Sequence, residues 1–437
     1  MQETSHPGSF FDDPSKYRWV LFAIVGAIYF LACLHRIAPT IIARDLAQAF
    51  DADAVSLGVI ASAYFFVYSA VQPPVGVLSD TIGPRRVITI FTATACLGGL
   101  VFATAANEVT ATLGRALIGA GVGGIFIPTL KLFSRWYKAN EFASLTGVFL
   151  AIGNLGNLSA ALPLTYLVLF LGWRMSFMAV GVLSLFLALI CWIIVRDKPE
   201  DKGWAPVKDA AVEEQAAAAA PDNIRTLKRL AIVLRKPSFW MITISCFFGG
   251  GAGLSFQGLW AVPYLIDIHE LSRVKAGSVL MLIPLGFTIG APVFGFLTDK
   301  LGLSRKPVLL TTLGLTISCW IIFIIFGAKA SLGLIIPLFL IMGFCGGGGL
   351  PLYMTITKEL FPPWLTGTAV GLMNPSAFLA TALYQPFTGY LLDRVGLLAS
   401  GGYPLKAYQH IFIVFLISYI LAFLIAMMIS VAKPQRA

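Results

Sequence analysis

Gly76-Val77-Leu78-Ser79-Asp80-Thr81-Ile82-Gly83-Pro84-Arg85-Arg86 is a charged turn lodged between two long apolar runs, and Gly295-Phe296-Leu297-Thr298-Asp299-Lys300-Leu301-Gly302 repeats its pattern in the second half of the chain. Glycine at 83 and 302 suits a tight reversal, because it enters left-handed backbone without steric cost. A charged turn used twice in a chain otherwise built of apolar runs predicts a duplicated, membrane-embedded architecture.

Composition agrees. Of 437 residues, 58% are hydrophobic and only 12% charged, with a mean hydropathy of +0.84; this is too little polar material to clothe a soluble globule of that size. Apolar runs near 19–42, 55–78, 87–106, 109–133, 143–171, 175–195, 238–266, 274–297, 308–328, 332–357, 366–391 and 408–431 are each long enough, at about 20 residues per crossing, to span a bilayer as helix. The expectation is an all-α integral membrane protein with twelve spans. The first 18 residues are polar and mixed in charge, so no cleaved signal peptide is expected.

Cys33, Cys96, Cys191, Cys246, Cys319 and Cys345 fall inside the apolar runs without C-x-x-C spacing, so neither a disulfide framework nor a metal site is expected. The net charge of +10 could suggest nucleic acid, but its distribution argues otherwise. Most Lys and Arg residues, among them Arg85, Arg86, Arg135, Lys138, Arg235, Lys236, Arg305 and Lys306, fall on the side of the membrane that carries the two charged turns. That is the positive-inside pattern, and it places those turns and both termini in the cytoplasm.

Residues 196–237 form the only long polar stretch and read as a linker between two six-helix halves, 1–195 and 238–437. Within it, Ile224 to Leu234 alternate Leu227, Leu230, Ile232 and Leu234 with Arg225, Lys228 and Arg229, which suits either a short amphipathic helix on the membrane surface or a solvated connector. The halves echo each other elsewhere: Leu132-Phe133-Ser134-Arg135-Trp136 corresponds to Leu360-Phe361-Pro362-Pro363-Trp364, and Thr146-Gly147-Val148 to Val370-Gly371-Leu372.

The first turn, spelled G-x-L-x-D-x-x-G-x-R-R, resembles the loop between helices 2 and 3 of the major facilitator superfamily, and the second copy falls where that family repeats it between helices 8 and 9. Arg115-Ala116-Leu117-Ile118-Gly119-Ala120-Gly121-Val122-Gly123 is similar to the family's helix-4 motif. The resemblance implies two parallel halves around a central cavity. It also implies that Asp80 and Asp299, with Gly76, Gly83, Arg85, Arg86, Gly295 and Gly302, set which way the cavity faces. Pro84 departs from the family's commoner basic residue. The bland alternative for the arginines is a positive-inside anchor, and for the helix-4 glycines close packing.

An ionisable group inside a span is costly and therefore a functional candidate. Arg36 in helix 1 and Arg115 in helix 4 qualify, without an acid nearby in the first six spans; two guanidinium groups favour an anionic ligand. Arg115, as the motif arginine, has a structural or coupling role as its alternative. His35-Arg36 resembles the Asp-Arg pair of the superfamily's organic-anion branch, which includes hexonate, hexuronate and sialic acid carriers, and a helix-1 arginine occurs also in the organophosphate antiporters. Histidine in place of that acid makes His35 a coupling candidate beside Asp267 and Glu270, or a plain hydrogen-bonded fixture.

Polar residues at helical spacing fill out a candidate pocket: Gln257, Trp260, Tyr264 and Asp267 in helix 7, and Asn374, Phe378, Thr381 and Gln385 in helix 11. Tyr29, Tyr64, Tyr68, Asn154 and Asn157 join them. Each alone is as well explained by a bond between helices. Gly249 to Gly251 and Gly346 to Gly349 are no phosphate loop, because no G-K-[ST] follows; flexible or broken helix that gates a cavity is the expectation.

No nucleotide motif, H-E-x-x-H or Ser/His/Asp arrangement in a soluble domain is present, so no enzyme, cofactor or metal is expected. Helix 5 lacks the Gly-Pro of drug/proton antiporters, helix 1 lacks the peptide-carrier E-x-x-E-R-F cluster, and helix 2 lacks the arginine of nitrate porters. The function this implies is a secondary transporter of a small organic anion (carboxylate, sugar acid, sulfonate or phosphate ester) by alternating access, taking it up by proton symport or by anion exchange. It would work as a monomer in a bacterial inner membrane, with no nucleic-acid partner. A transporter-like ligand sensor and an exporter of amphipathic compounds are the alternatives.

Overall fold

The computed structural model describes residues 13–207, 226–327, 331–399 and 401–429. They form twelve helical segments, α1 (Pro14–Phe50), α2 (Ala54–Ile82), α3 (Pro84–Ala103), α4 (Glu108–Trp136), α5 (139–171), α6 (173–194), α7 (Pro237–His269), α8 (Arg273–Asp299), α9 (Arg305–Phe326), α10 (Leu332–Leu360), α11 (363–393) and α12 (Leu405–Met428); among the described residues ten helices are long and apolar enough to cross a membrane, 144–194 counting as one and 363–393 not among them. No strand occurs among the described residues. The helices α5 and α6 run into one another and are separated only at Gly172, whose φ of 75° breaks the helical path.

Local chemistry sets several of the joints. Asp53 caps α2 by accepting from the Ser56 amide at 2.8 Å. Asn107 and Thr110 form a reciprocal capping box at the start of α4. Gly83, at φ 89°, turns the chain from α2 into α3; a Cβ there would also lie 2.4 Å from the Asp197 carboxylate, so the site excludes other residues twice over. Within the linker, a helix over Thr226–Leu234 packs against α7 and α11, with Val233 fully buried. Ile224 and Arg225, at the start of the expected amphipathic segment, lie outside the described residues.

The helix-4 glycines serve close approach. A Cβ on Gly119 would meet the Tyr64 carbonyl of α2 at 2.2 Å, and one on Gly121 the Ala95 nitrogen of α3 at 2.3 Å. They let α4 wedge between α2 and α3. The glycine runs in α7 and α10 differ from expectation in the same sense: both stay regular helix. Gly251 admits Ala380 of α11, and Gly343 and Gly347 admit the backbone of α8 at Ile283 and Phe287. The irregularity in α7 lies further on, in a π-helical turn over Phe256–Trp260.

The halves meet through α2 against α11 and α5 against α8, with α1 laid along the π turn of α7. One buried apolar cluster runs through both halves, whereas the C-terminal half near Val233, Phe239, Val308 and Phe361 has a separate core of its own. These last residues lie at the end bearing the Gly83 and Gly302 turns, hereafter the basic end. The core is thus continuous across the halves at the far end and divided at the basic end.

Candidate functional site

Arg36 lies on α1 where the halves meet. Its guanidinium carbon is 5.8 Å from the ring centre of Tyr68 on α2 and 5.1 Å from that of Phe378 on α11, so one residue from each half forms its bed. Among the described residues no carboxylate pairs with it, and its Nε is buried without a hydrogen-bond partner. Tyr64 stacks on Tyr68 at 5.9 Å, and its hydroxyl is also unpartnered. Close by, Asn374 donates across the halves to the Gln72 carbonyl oxygen at 3.1 Å, which leaves the Gln72 amide nitrogen buried and unused. Both polar atoms of Gln385 are unused as well. Each orphaned buried group costs about 1–3 kcal/mol unless something fills the place.

Arg115 is placed differently. It is fully buried inside the N-terminal half, donates to the His35 backbone carbonyl at 3.0 Å and lies 4.8 Å below the Tyr64 ring. Its Nε and Nη2 are buried without a hydrogen-bond partner, as is the Nε of Arg36. His35 also points into the N-terminal half, toward Phe177, with a small void bounded by Thr92 and Ser184 beside it.

The far end is closed by bonds between the halves. Thr40 of α1 donates to the Leu259 carbonyl at 3.2 Å and accepts from the Val262 amide at 3.3 Å, using groups that the π turn releases. Arg44 pairs with Asp267, which also accepts from the Tyr403 amide at 3.0 Å and the Tyr408 hydroxyl at 2.7 Å. Asp45 accepts from Arg273 at 3.0 Å. Asp393, at the end of α11, accepts from the backbone amides of Ala54 and Val55 at 3.0 and 2.8 Å. It therefore caps α2 from the opposite half, and the positive end of that helix stabilises its charge. Tyr403 donates to the same carboxylate; burial first, and that bond second, push its phenol well above the usual range and keep it a donor.

A family model described as Major Facilitator Superfamily matches residues 19–302 and 251–437. The chain belongs to the Major Facilitator Superfamily. This superfamily comprises transporters, not enzymes. Among curated relatives, the "Hexuronate transporter" of Escherichia coli (strain K12) is 24% identical over 87% of this chain and 88% of its own. The "Probable sulfoacetate transporter SauU" of Cupriavidus necator is 22% identical over 87% and 89%. Among solved structures, a bacterial homologue of the human lysosomal transporter Spinster, inward-facing and unoccupied, superposes with a TM-score of 0.74 at 18% identity, covering 94% of this chain and 97% of that one. A D-xylose-proton symporter gives 0.73 at 16% identity, covering 96% and 99%.

The remaining sequence candidates divide by position in this superfamily fold. Tyr29 stacks on Phe149 at 4.3 Å, on the same helix as Arg36. Gln257 is set apart from Trp260 and Tyr264, because the π turn inserts a residue and rotates the helix; the single face expected for all four is broken there. Trp260 donates to Thr388 at 2.7 Å and Tyr264 to the Gly327 carbonyl at 3.1 Å, both buried. Asn154 spends its amide on Pro284 (2.6 Å) and Thr288 of α8, so it ties the halves together. Asp267 belongs to the far-end closure, and Glu270 is exposed beyond it.

At the basic end, Asp80 pairs with Lys131 and Asp299 with Arg305, each inside its own half. The Arg85 amide donates to Asp197 at 2.6 Å, also within the half, and Arg86 is exposed. Sequence reasoning passed over Asp393, although a signal exists: Gly389-Tyr390-Leu391-Leu392-Asp393-Arg394-Val395-Gly396 is a third copy of G-x-L-x-D-x-x-G, at the far end of the protein.

Proposed function

We propose that this protein is a secondary active transporter of a small organic anion, moved by alternating access, with Arg36 as the residue that holds the anion. The observation that carries this reading is Arg36 itself: a cation without a carboxylate partner, bedded on one aromatic ring from each half and surrounded by spare donors. Curated relatives whose names specify hexuronate and sulfoacetate fit it, since a planar fork of donors matches carboxylate and sulfonate alike. Tyr64, Tyr68, Gln72 and Asn374 are the further contacts, and Arg115 serves as support.

With the basic end in the cytoplasm, the state described is closed to the outside, and Arg36 is reached from within. Asp267 and Glu270 lie at the far end and the His35 ring turns into the N-terminal half toward Phe177, so no titrating acid shares the bed of Arg36 among the described residues; this favours exchange of one anion for another over proton symport. The protein would act as a monomer in a bacterial inner membrane. Reconstituted vesicles test the reading: labelled anion should enter faster when unlabelled anion is trapped inside, and Arg36→Gln should abolish that counterflow. Accumulation driven by a pH gradient into empty vesicles would instead establish symport, and absence of any flux would leave a sensor.

A further inference from the structure

A second hollow adjoins Arg36. It has a volume of about 140 Å³ and lies in the C-terminal half between α7, α8, α9, α10, α11 and α12. Phe378 is shared: one face of the residue receives the Arg36 guanidinium at 5.1 Å, and the same side chain lines the hollow. The cation and the cavity are therefore one ring apart.

The walls are apolar for a structural reason. Gly249 and Gly253 of α7 and Gly346 and Gly349 of α10 present bare backbone, with Leu254, Phe287 and Met342 between them. A Cβ on Gly346 or Gly349 would have its first neighbour at 3.9 Å, so these glycines leave open space rather than a close helix contact. Most hydroxyls in the wall are occupied: Thr312 donates to Leu309 at 2.8 Å, Thr316 to Thr312 at 2.9 Å, and Tyr353 shares a bond with Ser245 at 2.7 Å, which leaves the Tyr419 hydroxyl and the Gln257 amide as its polar groups. A polyhydroxylated ligand has more hydroxyls than these two groups can pair, and each one left over is costly. An engineered apolar cavity of about 150 Å³ takes up benzene, so this one has room for a single ring or about six carbons.

Resting on the organic-anion reading, we propose that the substrate is a monocarboxylate with an apolar body of about one aromatic ring or a six-carbon chain. The carboxylate sits on Arg36 and the body fills the glycine-lined hollow. The arrangement selects against sugar acids and sugar phosphates.

Thermal-shift titration of the purified, full-length protein tests this with 3-phenylpropanoate, hexanoate, 3-phenylpropanamide, glucuronate and glucose 6-phosphate. The two apolar acids should stabilise the protein, and the amide and the sugar derivatives should do so at least tenfold more weakly. Gly346→Leu, which fills the hollow, should weaken 3-phenylpropanoate at least about tenfold, and Gly349→Ala, a milder filling, should weaken it less but measurably. If both variants bind it as the wild type does, the hollow is not the site. Should glucuronate or glucose 6-phosphate bind best and lose that binding in Arg36→Gln, the apolar inference fails while the organic-anion reading stands. Equal stabilisation by the amide, or none by any acid, sinks both.

Discussion

Arg36 and Arg115 carry the same charge in different surroundings, and the duties proposed for them differ accordingly. Both were visible in the sequence as ionisable groups inside spans, but the side of the helix each faces depends on neighbours from α2, α4 and α11 that no local pattern names. Arg115 has a backbone carbonyl and a ring to itself, so Arg115→Gln should lower ligand-free stability by about 1–3 kcal/mol, read as a fall in the thermal midpoint. Arg36 has no backbone carbonyl or carboxylate to lose, only the Tyr68 hydroxyl. Arg36→Gln should leave the ligand-free midpoint nearly unchanged while weakening anion binding at least about tenfold; a large fall in the ligand-free midpoint would reassign Arg36 to the scaffold.

Helices α7 and α11 show where local reading fails. The 3, 4, 3 spacing of Gln257, Trp260, Tyr264 and Asp267 assumed unbroken helix, and one π turn at Phe256–Trp260 separates the first from the rest. A packed interface with α1 at Thr40 holds that turn, and long-range contacts of this kind leave no mark on periodicity. The end of α11 was legible in principle, because Asp393 repeats the pattern that identified Asp80. Asp393 stabilises the start of α2 across the halves, so Asp393→Asn, which keeps the shape and removes the charge, should loosen the far end. Spin labels on Val109→Cys and Leu398→Cys, both exposed at that end, should report a longer and broader distance; an unchanged distribution would mean that the capping contact does not hold the closure. The six native cysteines are buried and should contribute little background labelling.

At the scale of the molecule, twelve spans and a duplicated plan were legible because hydropathy and charged turns are local properties. The direction in which the cavity faces was not, since one sequence must support both states and the balance between them is a small difference of contacts. Two crossed ion pairs, Arg44 with Asp267 and Arg273 with Asp45, draw on both halves and are only partly screened. The double variant Arg44→Ala/Arg273→Ala should shift the labelled pair toward the long distance further than either single change.

Gly389 and Gly76 open two copies of one motif on neighbouring antiparallel helices, and they stand in contrasting company. A methyl on Gly389 would strike the Ala54 carbonyl at 2.2 Å, whereas one on Gly76 would touch nothing within 4 Å. Gly76 thus has open space beside it in this conformation, and we propose that α11 fills it when the molecule rocks the other way and closes over the end of α2. Gly76→Val should accordingly leave stability and binding from the basic side intact yet arrest the cycle, a carrier that loads but cannot deliver. Full counterflow by that variant would show the vacancy to be idle.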